Sequence, residues 1–193
     1  LITTAVAALI AAWVLFSGLL AWNHLRVRRA RRQQGIPEER PAIRDPRSMH
    51  GLVLEGLSFG IAFAFVRSPH EAQTWQQIAS IVFSILSILV LAGALRHLGM
   101  EWRIKAVVTE DHRLVTTGPY AIIRHPIFAS LFALLLATVL LVTRPWAAIA
   151  AVAVCLWGTE IRIRAEDGLL RRRFGPRYEQ YQRATKAIIP FVR

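Results

Sequence analysis

Five apolar stretches constrain what this chain can fold into. Residues 1–22 run without a charge, as do 78–95, 126–143 and 145–159, while 52–66 carries a single one, Glu55. A helix of about 20 residues crosses the hydrocarbon core of a bilayer, and tilt or flanking residues relax that requirement. A chain of 193 residues has too little polar surface to hide five all-round apolar helices in a water-soluble core. The pattern therefore predicts an all-α, polytopic membrane helical bundle of about five transmembrane helices, a single membrane domain over residues 1–193. The first stretch lacks the basic start and small-residue cleavage site of a secretory leader, and its basic cluster follows it, so it reads as a retained span. No long stretch alternates with period two, and there is no Gly-x-Gly-x-x-Gly or phosphate loop, so a soluble nucleotide-binding fold is excluded.

The net charge of +12 invites comparison with nucleic-acid binders, but its distribution argues for a membrane. Of the 24 Lys and Arg residues, 22 fall in residues 23–50, 96–125 and 162–193, while only Arg67 and Arg144 lie in the two short connections between. With five spans these three basic segments share one side, and the positive-inside rule makes that side cytoplasmic. The cluster from Arg26 to Arg32 reads as an orienting stop in contact with anionic lipid. It has no interleaved aromatics of the kind that stack on bases, so no nucleic-acid partner is expected. The one cysteine, Cys155, excludes an internal disulfide and a cysteine metal site. It reads as a small packing residue, and no metal is expected.

Residues 1–95 read as a scaffold of spans. Gly56 and Gly60, four apart in the second stretch, have the spacing that lets helices approach closely in lipid, for packing within the chain, the favoured reading, or for dimerisation. Glu55, an intramembrane carboxylate, is a functional candidate by position, though it lies near the cytoplasmic end where water or an arginine is within reach. Residues 96–193 carry the chemistry. Pro126 sits where a helix starts, Arg144-Pro145 makes a tight turn, and the last apolar helix continues past the membrane as an amphipathic extension until Gly175-Pro176. A polar helix containing Tyr178 and Tyr181 follows.

The polar segment before the 126–143 stretch holds Lys105, His112, Arg113, Tyr120, Arg124 and His125. Arg162 and Glu166 return to the same side one helical turn apart. Taken singly, Arg162–Glu166, Glu160–Arg164 and Asp167–Arg171 are ordinary i,i+4 pairs. Together these groups suit a polar cofactor bearing amino, carboxylate and adenosine functions.

The ordered combination is what stands out: His112-Arg113-Leu114-Val115, Gly118-Pro119-Tyr120, Arg124-His125-Pro126-Ile127-Phe128, then Arg162-x-x-x-Glu166-Asp167, Leu170, Phe174-Gly175, Tyr178 and Tyr181. Over about residues 95–193 it resembles the isoprenylcysteine carboxyl methyltransferase family and its phospholipid methyltransferase relatives. The resemblance implies an integral membrane enzyme that uses S-adenosylmethionine, releases S-adenosylhomocysteine and has its active site facing the cytoplasm. Lys105, His112, Arg113, Leu114, Val115, Tyr120, His125, Pro126, Ile127, Phe128 and Glu166 would line the cofactor site, with Glu166 on the cofactor's ammonium or a ribose hydroxyl. Arg162 would face a lipophilic methyl acceptor, a prenylcysteine-type carboxylate, and with Glu166 would form the catalytic pair. Where the family commonly has tyrosine, glycine and a second glutamate, this chain has Phe128, Ser130 and Asp167. A phospholipid amine is the rival acceptor and needs a base. A sterol-reductase-like NADPH enzyme is a further alternative, although such proteins normally have more spans. A non-catalytic basic scaffold would leave the clustered His112, Tyr120, His125 and Glu166 without a role. The compact chain suits a bacterial inner membrane.

Overall fold

In the computed structural model the described residues are 1–33, 43–99, 107–108 and 114–188. They form six α-helices: α1 (Ile2–Gln33), α2 (Arg47–Ala64), α3 (Thr74–Leu98), α4 (Pro126–Val142), α5 (Pro145–Phe174) and α6 (Pro176–Ala184). Two short 3₁₀ turns, Pro69–Glu71 and Gly118–Ala121, link them. Outside the helices, β1 (Ile43–Arg44) pairs antiparallel with β2 (Val107–Val108) in a two-residue ladder, which ties together the connections before α2 and after α3.

Local signals set the helix ends. Pro126 and Pro145 occupy the first turns of α4 and α5, where a missing N–H costs nothing. Gln73 and Gln76 form a reciprocal cap at the start of α3. Gly175, at φ 54°, ends α5 and Pro176 opens α6. α1, α3 and α5 are long and apolar enough to cross a membrane, and α4 is a shorter apolar helix. α2 carries Arg47, His50 and Glu55 within its 18 residues. At about 45 Å, the 30-residue α5 outruns a hydrocarbon core of about 30 Å, so its C-terminal half forms the expected amphipathic extension.

α1 runs alongside α3. Ala12 and Phe16 pack with Leu91, Leu95 and Leu134 near one end, and Ala5 and Leu9 with Ala72, Ala137 and Leu141 near the other. α3 and α4 meet through small buried side chains, with the Ser80 hydroxyl donating to the Ala137 carbonyl at 2.8 Å. α2 packs on α5, and Ala62, Leu135, Val139, Ala151 and Cys155 form the core they share with α4. Trp13 of α1 bridges the two halves. Its indole donates to Thr138 on α4 and meets Phe59 of α2 edge-on at 5.1 Å.

Gly56 and Gly60 do not make the close approach expected of them: a Cβ at either would meet nothing within 4 Å. The contact belongs to Gly51, where a Cβ would lie 2.5 Å from the Gly158 carbonyl oxygen, and to Gly158, where one would lie 2.7 Å from the Gly51 oxygen. Helical geometry explains the difference. Gly51, Glu55, Ser58 and Ala62 form the buried stripe of α2, and Gly56 lies about 100° around the helix from Glu55. Alanine at Gly51 or Gly158 is therefore expected to push α2 off α5 at a cost of about 1–3 kcal/mol. Alanine at Gly56 or Gly60 is expected to be neutral or stabilising by up to about 1 kcal/mol. Thermal unfolding of the four variants in one detergent checks both.

At the end bearing Arg67 and Arg144, backbone bonds from Arg67 N–H to Val142 and from Arg144 N–H to Phe65 staple α2 to the α4–α5 turn. The opposite end gathers the C-termini of α1 and α3, the N-termini of α2 and α4 and the extension of α5. There the His97 ring lies against Gly118, whose φ of 62° favours glycine.

Candidate active site

The polar groups at this end are organised by Asp167. One of its oxygens accepts from His125 Nε2 at 2.8 Å and from the Tyr178 hydroxyl, and the other accepts from Arg124 Nη2 at 3.2 Å and Gln182 Nε2 at 2.9 Å. Four donors saturate the carboxylate. α5 carries the acceptor, the approach to α4 supplies two donors and α6 supplies the other two.

A strap completes the arrangement. Arg124 and His125 donate backbone N–H groups to the Lys186 and Ala187 carbonyls at 2.7 and 2.9 Å. The Arg124 guanidinium also caps the end of α6 through the Gln182 and Thr185 carbonyls. The Tyr181 hydroxyl donates to the Tyr120 carbonyl. Phe128, Ile163 and Ala187 form a small core beneath.

His125 lies between two carboxylates. Its Nε2 faces Asp167, and its Nδ1 lies 3.4 Å from Glu166 Oε2. Burial pushes the imidazole down, but hydrogen bonds to Asp167 and Glu166 and their charges more than offset it, raising the pKa from 6.5 to about 9. The two carboxylates thus favour the imidazolium, which donates from both nitrogens. Burial likewise raises Tyr181 to about 12. Burial, and then the neighbouring carboxylates, raise Tyr120 and Tyr178 as well.

Because the folded pKa of His125 lies above its unfolded value, its contribution to stability is complete below about pH 6.5 and is lost as pH rises through about 9. The melting temperature is expected to fall between pH 7 and pH 10 in the native chain. The fall is expected to be shallower in His125→Gln.

Phe128 stacks on His125 with centroids 5.5 Å apart and planes 12° apart, and its ring lies 4.4 Å from Arg162 Cζ. Arg162, 8% exposed, donates from Nη1 to Glu55 Oε2 at 2.6 Å, and Thr159 donates to the other Glu55 oxygen at 3.1 Å. The site is thus a row running from Glu55 through Arg162, Phe128 and His125 to Glu166 and Asp167.

The structure brings together Tyr120, His125, Phe128, Arg162 and Glu166 from the sequence-derived set. Pro126 is buried in the first turn of α4. Ile127 turns the other way, onto the Ala12–Phe16–Leu91 core. Leu114 and Val115 are half-buried on the approach to the Gly118 turn. Lys105, His112 and Arg113 lie outside the described residues. The sequence reading assigned no site role to Asp167, Tyr178 or Gln182 and left that of Glu55 open. Tyr178 and Asp167 stood within the ordered pattern, whereas Gln182 carried no signal.

The geometry separates the adjacent acids. Asp167 is consumed by internal donors with 10% of its side chain exposed, whereas Glu166 keeps 28% exposed. Glu166 thus keeps part of its carboxylate open to solvent beside its contact with His125. Among the described residues no group of three His, Cys, Asp or Glu is placed to hold a metal.

Residues 79–172 match the model of the isoprenylcysteine carboxyl methyltransferase (ICMT) family. Protein-S-isoprenylcysteine O-methyltransferase B of Arabidopsis thaliana is 37% identical over 84 residues, 43% of this chain and 42% of that protein. Protein-S-isoprenylcysteine O-methyltransferase of Schizosaccharomyces pombe is 34% identical over 84 residues, 43% of this chain and 35% of that protein. The nickel-cobalt-cadmium resistance protein NccN of Alcaligenes xylosoxydans xylosoxydans is 32% identical over 109 residues, 55% of this chain and 50% of that protein. These matches span half or less of each relative. The matched segment runs from α3 almost to the end of α5, and over it the chain is similar to the isoprenylcysteine carboxyl methyltransferase family.

Proposed function

We propose that this chain is an S-adenosylmethionine-dependent methyltransferase that works at the membrane–cytoplasm interface and esterifies the carboxylate of a lipophilic, prenylcysteine-type acceptor. The observation that carries the acceptor class is the placement of His125, whose two ring nitrogens face Asp167 and Glu166. An amine acceptor must lose a proton, and both nitrogens of the one imidazole of the described site are engaged by Asp167 and Glu166, whose charges favour its protonated form. A carboxylate needs no base, and the Arg162 guanidinium, flanked by Phe128, offers a planar fork for it. S-adenosylmethionine, when bound, supplies a methyl group on a sulfonium: a carboxylate oxygen forms the new O–C bond as the S–C bond breaks, leaving S-adenosylhomocysteine with no proton exchanged. The residues contribute alignment and exclusion of water, which such a displacement chiefly requires. Glu166 would hold the cofactor's cationic or hydroxyl end, Tyr120 and Phe128 would wall it, and Arg162 would orient the acceptor.

In this reading all 193 residues form one membrane unit, with residues 1–95 as its scaffold. α2 and α4 join α1, α3 and α5 as spans. The basic end faces the cytoplasm, and a bacterial inner membrane is its setting. The cofactor enters from water and the acceptor enters sideways from the bilayer. Calorimetry with S-adenosylhomocysteine tests this. Micromolar binding is expected, and silence in a folded sample excludes the reading. NADPH binding in its place would support a reductase, and transfer only to phospholipid amines would move the acceptor to that class.

A further inference from the structure

Glu55 lies in α2, outside the segment that matches the family, and is 2% exposed. Both its oxygens are engaged, one by Arg162 and one by Thr159. The contact exists because α2 and α5 touch backbone to backbone one turn away: a Cβ on Gly51 would lie 2.5 Å from both the Gly158 oxygen and the Arg162 Cγ. α2 thus grips Arg162 twice, at its stem through Gly51 and at its head through Glu55. The Phe128 ring covers the guanidinium from α4.

A guanidinium carries five N–H donors in a rigid plane. Engaging Nη1 with Glu55 therefore fixes the plane of the whole group. A free arginine side chain would have to be ordered at each encounter with the acceptor, whereas one held on three sides is already ordered.

We propose that Glu55 is a positioning residue for the methyl acceptor: from α2 it holds the Arg162 guanidinium in the plane that receives the acceptor's carboxylate. This rests on the methyltransferase reading above. It makes α2 one wall of the acceptor end of the site, built from chain outside the family segment. Charge is secondary to geometry here. A glutamine at position 55 keeps an amide oxygen for Nη1, whereas alanine keeps nothing.

The test uses the full chain in detergent or nanodiscs, with S-adenosylhomocysteine affinity measured beside kcat and KM for a prenylcysteine carboxylate. Glu55→Ala is expected to lose about 100-fold in kcat/KM, the scale of a displacement of about 1 Å at a reacting group. Glu55→Gln is expected to remain within about fivefold of the native chain, and Thr159→Val to lose several-fold. Cofactor affinity is expected to stay within about threefold in all three, since Glu166 is untouched.

Glu55→Ala with native affinity and native kcat/KM overturns the proposal, and so does Glu55→Gln as damaged as Glu55→Ala. Should Glu55→Ala fail to fold, Thr159→Val decides, and native kcat/KM there overturns it. A native chain that binds no cofactor and transfers no methyl group overturns the methyltransferase reading and this proposal together. Normal transfer with silent Glu55 variants overturns this proposal alone.

Discussion

Replacing Asp167 by alanine is expected to destabilise the protein by about 3–5 kcal/mol, the usual scale for removing one partner of a buried charge cluster, and to lower its melting temperature by roughly 10 °C. The size follows from what is left behind. Arg124 and the His125 imidazolium lose their shared counter-ion in a site where His125 is only 5% exposed. The Tyr178 hydroxyl and the Gln182 amide lose their acceptor in the same step. These four donors join α6 and the start of α4 to α5, so the strap should loosen first. Protease cleavage near α6 is expected to accelerate in Asp167→Ala well below its melting temperature. Asp167→Asn retains an acceptor and should fall between the two. A variant with native melting behaviour and native protease resistance would show that Asp167 does not organise this end of the molecule.

The second large effect is a division between Glu166 and Arg162. Glu166→Ala is expected to weaken S-adenosylhomocysteine binding by about 10–100-fold, the worth of one charged hydrogen bond, with little loss of stability because the side chain is partly exposed. Arg162→Ala is expected to bind the cofactor and fail in turnover. It also strands Glu55 inside the bundle, so its stability falls by about 3–5 kcal/mol. Arg162→Lys separates these consequences: the charge for Glu55 persists while the planar fork is lost, and kcat/KM should drop about 100-fold in a folded, cofactor-binding protein. Calorimetry and steady-state kinetics on the three variants read the division directly. Equal loss of cofactor binding at both positions would contradict it.

Three of the five expected spans, α1, α3 and α5, the break at Gly175-Pro176 and the gathering of His125 with Glu166 could be anticipated from the sequence because each rests on local signals. Proline, glycine and uncharged runs act over a few residues, and an ordered motif marks groups that one ligand requires. The errors and omissions arose where partners are distant. Glu55 and Arg162 are separated by 107 positions, and nothing in either neighbourhood names the other. Arg162 and Glu166 stand at i,i+4 spacing, yet the structure turns Arg162 to Glu55 and Glu166 to His125. Gly56 and Gly60 had the right spacing on the wrong face, because which stripe of α2 meets α5 is decided by the partner helix at Gly158. Asp167 read as a mild departure from the family's second glutamate. Its role as an acceptor for four donors became visible only once α6 had folded back.

The central claim is carboxyl methylation, and the product's chemistry tests it most directly. The purified chain is supplied with methyl-labelled S-adenosylmethionine and a prenylcysteine acceptor, and the product is then treated with base. A carboxyl methyl ester hydrolyses and releases the label as volatile methanol, whereas a methylated amine retains it. We predict base-labile label that is lost when the acceptor's carboxylate is blocked as an amide. Base-stable label, or no transfer by a folded protein that binds S-adenosylhomocysteine, would contradict the account.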